Sequence, residues 1–270
     1  MMVTGDDNPT MARDTMFGVL MIVMNGLFGV AIFAGALKHR FQDFNVQSST
    51  SYIAMLILLV GIGLFLPHFM SENTEHAFHV MLIVVGTVLY GIFLWVQVFE
   101  HRGFFEYKRA DGEEEHHPVS GHGGAYHSIV LILTLIPVVV LAKYLAVVMD
   151  AGLEFLSAPA QLAGLVVAIL ILAPEGVAAV RAGRNDNMQR AVNICLGSGL
   201  ATIGLTIPVV LIISFVTGKT VILGLEPESM VLIAISLLLL KTNLESGRTN
   251  ILMGAVFTAL FAAYVALIFI

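Results

Sequence analysis

Charge is what this chain has least of. Lys, Arg, Asp and Glu make up 12% of its 270 residues while 58% are hydrophobic, and a soluble domain carries about a quarter charged residues. That balance excludes a soluble globular protein and places the chain in lipid. Cys195 is the one cysteine, so no internal disulfide forms. The net charge of −6 gives nucleic-acid binding nothing to rest on. Residues 1–14 contain Asp6, Asp7 and Asp14, which is not the basic start of a signal peptide. Repetitive or Asn/Gln-rich stretches are missing. No nucleophile and base pair lies within the apolar runs, which speaks against an enzyme.

What the chain has instead is apolar length. Runs able to span about 30 Å of hydrocarbon recur near 15–37, 52–69, 77–99, 127–149, 159–182, 188–217, 228–243 and 249–269. The fold class is an all-α polytopic membrane protein with about eight transmembrane helices. The sixth run is too long for one straight span, and Gly204, Thr206 and Pro208 in its middle predict a kinked or broken helix. Lys38, Arg40, Arg102, Lys108, Arg109, Arg181, Arg184, Arg190, Lys241 and Arg248 fall on one set of alternate connections. Only Arg13, Lys143 and Lys219 fall on the other. The richer set is expected in the cytoplasm, which puts both ends of this chain outside it.

Carboxylates are all but absent from the spans. Glu175, following Pro174 in the run Leu170-Ile171-Leu172-Ala173, is the one set well inside. An ionised group near the bilayer centre costs roughly 2.5–3.5 kcal/mol on insertion scales. A chain this apolar keeps such a group when it is paired, protonated or holding a cation.

The spans also repeat. Asn8, Met11 and Arg13 align with Asn185, Met188 and Arg190 at one constant shift, and Gly26-Leu27 aligns with Gly204-Leu205 one residue further on. The next two spans follow in the same order and spacing. The copies enter from opposite sides, an arrangement that secondary transporters use to place a substrate site at the midplane. Residues 1–99 hold three helices of the first repeat, 100–126 an acidic, His-rich cytoplasmic loop, and 127–270 the five helices of the second. In the repeat, the counterpart of Glu175 falls just upstream of Met1. The expectation is an N-terminally truncated copy lacking its first two to three helices and one of a pair of site carboxylates.

Asn8-Pro9-Thr10-Met11-Ala12-Arg13-Asp14-Thr15, Met21-Ile22-Val23-Met24-Asn25-Gly26 and Pro174-Glu175 resemble the bacterial calcium/proton antiporters of the cation/calcium exchanger superfamily. So do Asn187-Met188-Gln189-Arg190-Ala191-Val192-Asn193, Leu196-Gly197-Ser198 and Ala201 to Pro208. The resemblance covers nearly the whole chain and is most specific over 174–208. It implies an eleven-helix exchanger of which this chain carries helices four to eleven, in the bacterial inner membrane. It also implies one glutamate per repeat, the pair taking either a cation or protons. Glu175 matches the second glutamate, Asn25 an asparagine of the first repeat, and Gly197-Ser198 a Gly-Ser pair of the second. The family's Gly-Asn lead-in is replaced by Leu172-Ala173-Pro174.

Calcium takes six to eight oxygen ligands. The metal site expected here has Glu175 as its charged ligand and Asn25, Ser198 and Thr202 as neutral oxygen donors. The same carboxylate takes a proton when the cation leaves, so cation and protons exchange by competition. Structural readings stand beside this one: Asn25 bonding between helices, Ser198 and Thr202 bonding to their own backbone, Asn193 packing near the cytoplasmic side. The loop holds Glu106, Asp111, Glu113, Glu114, Glu115, His116, His117, His122 and His127. It reads as a solvated linker, a cation antenna, a calcium sensor or a zinc site. His68, His76 and His79 beside Glu72 and Glu75 read as an outer turn or a second ion site. The partners expected are calcium, or sodium or potassium, with protons and the bilayer. They are substrates; no cofactor is expected. A zinc or other divalent-metal transporter of a different family is the alternative, prompted by the loop histidines.

Overall fold

The computed structural model describes residues 9–70, 72–100, 126, 129–134, 136, 137, 140, 141, 144, 148 and 160–269. The first pass is α1 (Met11–Met21), a π-helical segment (Ile22–Leu27) and α2 (Phe28–His39) in one continuous rod. After β1 (Phe41–Asp43), α3 (Val46–Val60) starts at Asn45, whose side chain accepts from the Ser48 N–H. It is prolonged by a π turn (Gly61–Phe65) and a 3-10 turn (Leu66–Phe69). Next come α4 (Glu72–Trp95), continued by Val96–Glu100, and α5 (Ala160–Arg184). The last elements are α6 (Met188–Thr217), α7 (Pro227–Glu245), β2 (Arg248–Asn250) and α8 (Ile251–Leu267).

These helices meet the expected spans within a few residues, and among the described residues five stretches are long and apolar enough to cross a membrane. Of the expected fourth span, the described residues between 126 and 148 are helical. The chain is an all-α multi-pass membrane protein. One small addition is the antiparallel ribbon of β1 and β2, with Gln42 opposite Thr249.

Of the expected kink or break in α6, the break is not there. α6 runs uninterrupted through Pro208, about 45 Å at 1.5 Å per residue. Pro208 is buried, and Gly86 of α4 comes close enough that a Cβ there would lie 3.2 Å from its Cγ. A proline costs a membrane helix little where neighbouring helices enclose it. Loosened, π-helical turns lie instead at Ile22–Leu27 in the first pass, at Gly61–Phe65 and at Val96–Glu100.

That first pass is the core. Met16, Leu20, Met21, Met24, Phe28 and Ile32 are fully buried, as a helix apolar on every face requires. It packs on α5, α6 and α8. Lipid offers no hydrophobic gain to helices that pair inside it, so close backbone approach does the work. α2 and α8 meet across Gly29 and Gly254, where added Cβ atoms would lie 2.9 Å from the Thr258 nitrogen and 2.6 Å from the Phe33 nitrogen.

Two polar ends bound the bundle. At one, Lys38 and Gln42 donate to the Arg184 and Gly183 carbonyls, the Asn45 N–H donates to Gln189, and Arg248 pairs with Asp43 at 2.7 Å. Seven of the ten basic residues assigned to one side belong to the connections gathered here. At the other end the apolar connection 218–226 folds back: the Ile222 N–H donates to the Pro9 carbonyl and the Leu225 N–H to the Leu64 carbonyl. Arg13, nearly buried, bridges the Gly224 carbonyl at 2.8 Å, Asp14 and Glu226. The first pass therefore runs toward the basic end and α6 away from it. The two passes cross in opposite directions.

Candidate cation site

Glu175 sits in α5 one residue after Pro174, half-buried. Pro174 has no N–H, so the carbonyl one turn back is left without its helical partner. Leu172 and Ala179 turn the flanking face into the bundle, and Gly176 meets Leu27, where a Cβ would lie 2.8 Å from Leu27 Cδ2. α5 thus touches the π segment at the level of Glu175. Among the described residues no arginine, lysine or hydrogen-bond donor pairs with the Glu175 carboxylate.

Asn25 lies inside the π segment with no exposed surface. A π turn is rare and concentrates at functional positions. Its Nδ2 donates to Ser236 Oγ of α7 at 2.9 Å, while its Oδ1 is buried with no hydrogen-bond partner. Such an oxygen costs about 1–3 kcal/mol when left bare.

Ser198 and Thr202 stand one turn apart on α6, both half-buried. Thr202 Oγ1 donates to the Ser198 carbonyl at 2.9 Å. Its hydrogen is spent on its own helix, as the structural reading expects, and its lone pairs remain available. Gly199, next to Ser198, faces Leu20 and Val23, where a Cβ would lie 3.5 and 3.9 Å from their side chains. The π segment is therefore held between α5 at 176 and α6 at 199, and the four expected residues come from three elements that meet there. The structure gives no hydrogen bond linking Asn25 or Glu175 to Ser198 or Thr202. Asn25 bonds instead to Ser236, which sequence reasoning missed. Its signal was a lone hydroxyl inside the run Met230–Leu240.

The other expectations resolve less sharply. Asn193 accepts from Gln189, which also donates to Ser48, in a polar cluster at the basic end. At the opposite end His76 stacks on Phe215 at 5.9 Å and His79 meets the same ring edge-on at 6.3 Å. Among the described residues no three His, Cys, Asp or Glu side chains group to hold a metal. Residues 101–125, with most of the acidic and histidine-rich loop, lie outside the described residues, as do the side chains of Glu72 and Glu75.

The sodium/calcium exchanger protein family matches residues 1–99 and 126–270, nearly the whole chain. The chain belongs to that family. Membership removes the alternative of a zinc transporter from a different family. Curated relatives agree. The sodium-potassium/proton antiporter ChaA of Escherichia coli is 37% identical over 274 residues, covering 100% of this chain and 75% of the relative. The Ca(2+)/H(+) antiporter ChaA of Bacillus subtilis is 27% identical over 245 residues, 88% of this chain and 68% of the relative. Among solved structures, native YfkE superposes with a TM-score of 0.74 at 19% identity, over 95% of this chain and 74% of that one. At that identity the likeness establishes the shared exchanger fold.

Proposed function

We propose that this family member is a secondary cation/proton antiporter of the bacterial inner membrane, moving calcium, in which cation and protons compete for Glu175. The observation that carries this reading is a carboxylate inside an apolar helix, facing no countercharge among the described residues, beside a helix loosened around a buried amide oxygen. Glu175 supplies the charge, and Asn25, Ser198 and Thr202 supply neutral oxygens. With the cation gone, a proton on the carboxylate removes the charge from the low-dielectric interior, where it is costly to leave. The two ligands cannot be held together, so entry of one expels the other.

The relatives leave two readings of the cation. The Bacillus subtilis protein's name specifies calcium and the Escherichia coli protein's name sodium and potassium. A carboxylate set among neutral oxygen donors suits a reversibly held cation, which favours turnover over tight capture. Everted membrane vesicles carrying the chain, acidified inside and then given calcium, sodium or potassium, separate the two. Calcium-driven proton release is expected at the lowest cation concentration. Glu175→Gln is expected to abolish release for every cation, and Glu175→Asp to retain part of it. Release undiminished in Glu175→Gln would remove this carboxylate from the mechanism.

A further inference from the structure

Ser236 stands alone among apolar neighbours in the middle of α7, with no exposed surface. Its Oγ lies 2.9 Å from the Leu232 carbonyl oxygen one turn earlier and 2.9 Å from Asn25 Nδ2. A hydroxyl has one hydrogen and two lone-pair sites, and a carbonyl only accepts. The hydrogen therefore goes to Leu232; Met21 Sδ, at 3.6 Å, is a weaker acceptor. The side of the hydroxyl turned to Asn25 carries a lone pair, so the amide must present its NH2 there. The flipped amide would set oxygen against oxygen with no hydrogen between them. Asn25 Oδ1 is thereby turned away from α7, buried and unpartnered.

We infer that Ser236 is a positioning residue for cation binding: it locks the Asn25 amide so that the carbonyl oxygen, not the NH2, is offered to the ion. This rests on the reading of Glu175 and Asn25 as the cation site. The two ends of an amide have nearly the same shape and opposite polarity. In a packed interior the neighbouring acceptors decide which end faces the site: Ser236 Oγ at 2.9 Å and, more weakly, Met21 Sδ at 3.6 Å from the same Nδ2. Ser236 sits behind the ligand and acts through it. The rigid return bond from Ser236 to its own helix is what turns an ordinary hydroxyl into a pure acceptor.

Calcium binding by the purified full chain in detergent, followed by calorimetry, tests this. Ser236→Ala is expected to weaken binding about tenfold, the worth of roughly one hydrogen bond near a charge. Ser236→Thr and Ser236→Val make the decisive pair, since they share a shape and differ by the hydroxyl. Threonine in a helix returns its hydrogen to the preceding turn, so Ser236→Thr is expected within about threefold of the unsubstituted chain, and Ser236→Val weakened like alanine. Thermal melting in detergent must show both variants folded well above the assay temperature, which removes unfolding as the cause. Equal affinity in Thr and Val, or unchanged affinity in Ala, would overturn the inference. Glu175→Gln measured alongside separates the two claims. Full calcium binding in Glu175→Gln, or none in the unsubstituted chain, brings down the site itself. Loss in Glu175→Gln with normal Ser236 variants brings down only the positioning role.

Discussion

Asn25 and Glu175 illustrate how one residue's chemistry depends on what stands behind it. Both were legible in the sequence as polar groups in apolar runs, but their states were not. Glu175 is held by the packing of its neighbour Gly176 on Leu27 rather than by an ion pair among the described residues. Asn25 is held by a serine more than two hundred positions away. Small residues decide the packing at the same scale. A Cβ on Gly183 would lie 2.5 Å from the Ala31 carbonyl oxygen of α2, which cannot withdraw without moving the helix. Gly183→Ala is therefore expected to destabilise the protein by about 1–3 kcal/mol. Gly91, exposed on α4, has nothing within 4 Å of its would-be Cβ. Gly91→Ala is expected to stabilise by about 0.5–1 kcal/mol, through the conformational freedom that glycine loses in a helix. Thermal melts in detergent should move in opposite directions; a shift of the same sign in both would refute the steric account.

At the scale of elements, the boundaries follow local chemistry closely. α6 begins at Asn187, whose side chain accepts from the Arg190 N–H, and ends at Gly218 in the left-handed region, φ +68°. Pro227 opens α7 where its missing N–H is no loss. α8 begins at Asn250, whose side chain accepts from the Leu252 and Met253 N–H groups at 3.0 and 3.2 Å. Asn250→Ala removes both bonds and is expected to cost about 1 kcal/mol, read as a lower melting temperature. Asn250→Asp, which keeps the acceptor, should leave the melt nearly unchanged. What local chemistry did not locate is the helix irregularity. Pro208 is the visible breaker, yet α6 passes through it, and Ile22–Leu27 loosens with no proline at all. A π turn needs neighbours that accept its extra residue, and those come from α5, α6, α7 and α8.

The whole molecule is organised by its two ends. Basic connections far apart in sequence meet at one end, where Arg248 pairs with Asp43 and lies 5.4 Å over the Phe41 ring. The Asp43 carboxylate raises the Arg248 guanidinium further above its ordinary value, so that pair keeps its positive partner at every physiological pH. Positive charge collected at one end orients a membrane protein with that end in the cytoplasm. With Cys195 replaced by alanine, Asn185→Cys at the basic end should react with a membrane-impermeant maleimide only in opened cells. Thr220→Cys at the opposite end should react in intact spheroplasts. The reverse pattern would turn the molecule over and place both chain ends in the cytoplasm.

The amino-acid sequence alone determined the medium, the all-α multi-pass class, where the described helices lie and the carboxylate worth asking about. Each of these follows from counting apolar length, charge and spacing, quantities that depend on near neighbours along the chain. Only the tertiary structure decided that α6 stays whole, that β1 and β2 clip the basic end, and that Ser236 faces Asn25. Those outcomes depend on which side chain meets which across helices, and an apolar helix in lipid carries little pattern to say so: its faces look alike until a neighbour covers one of them.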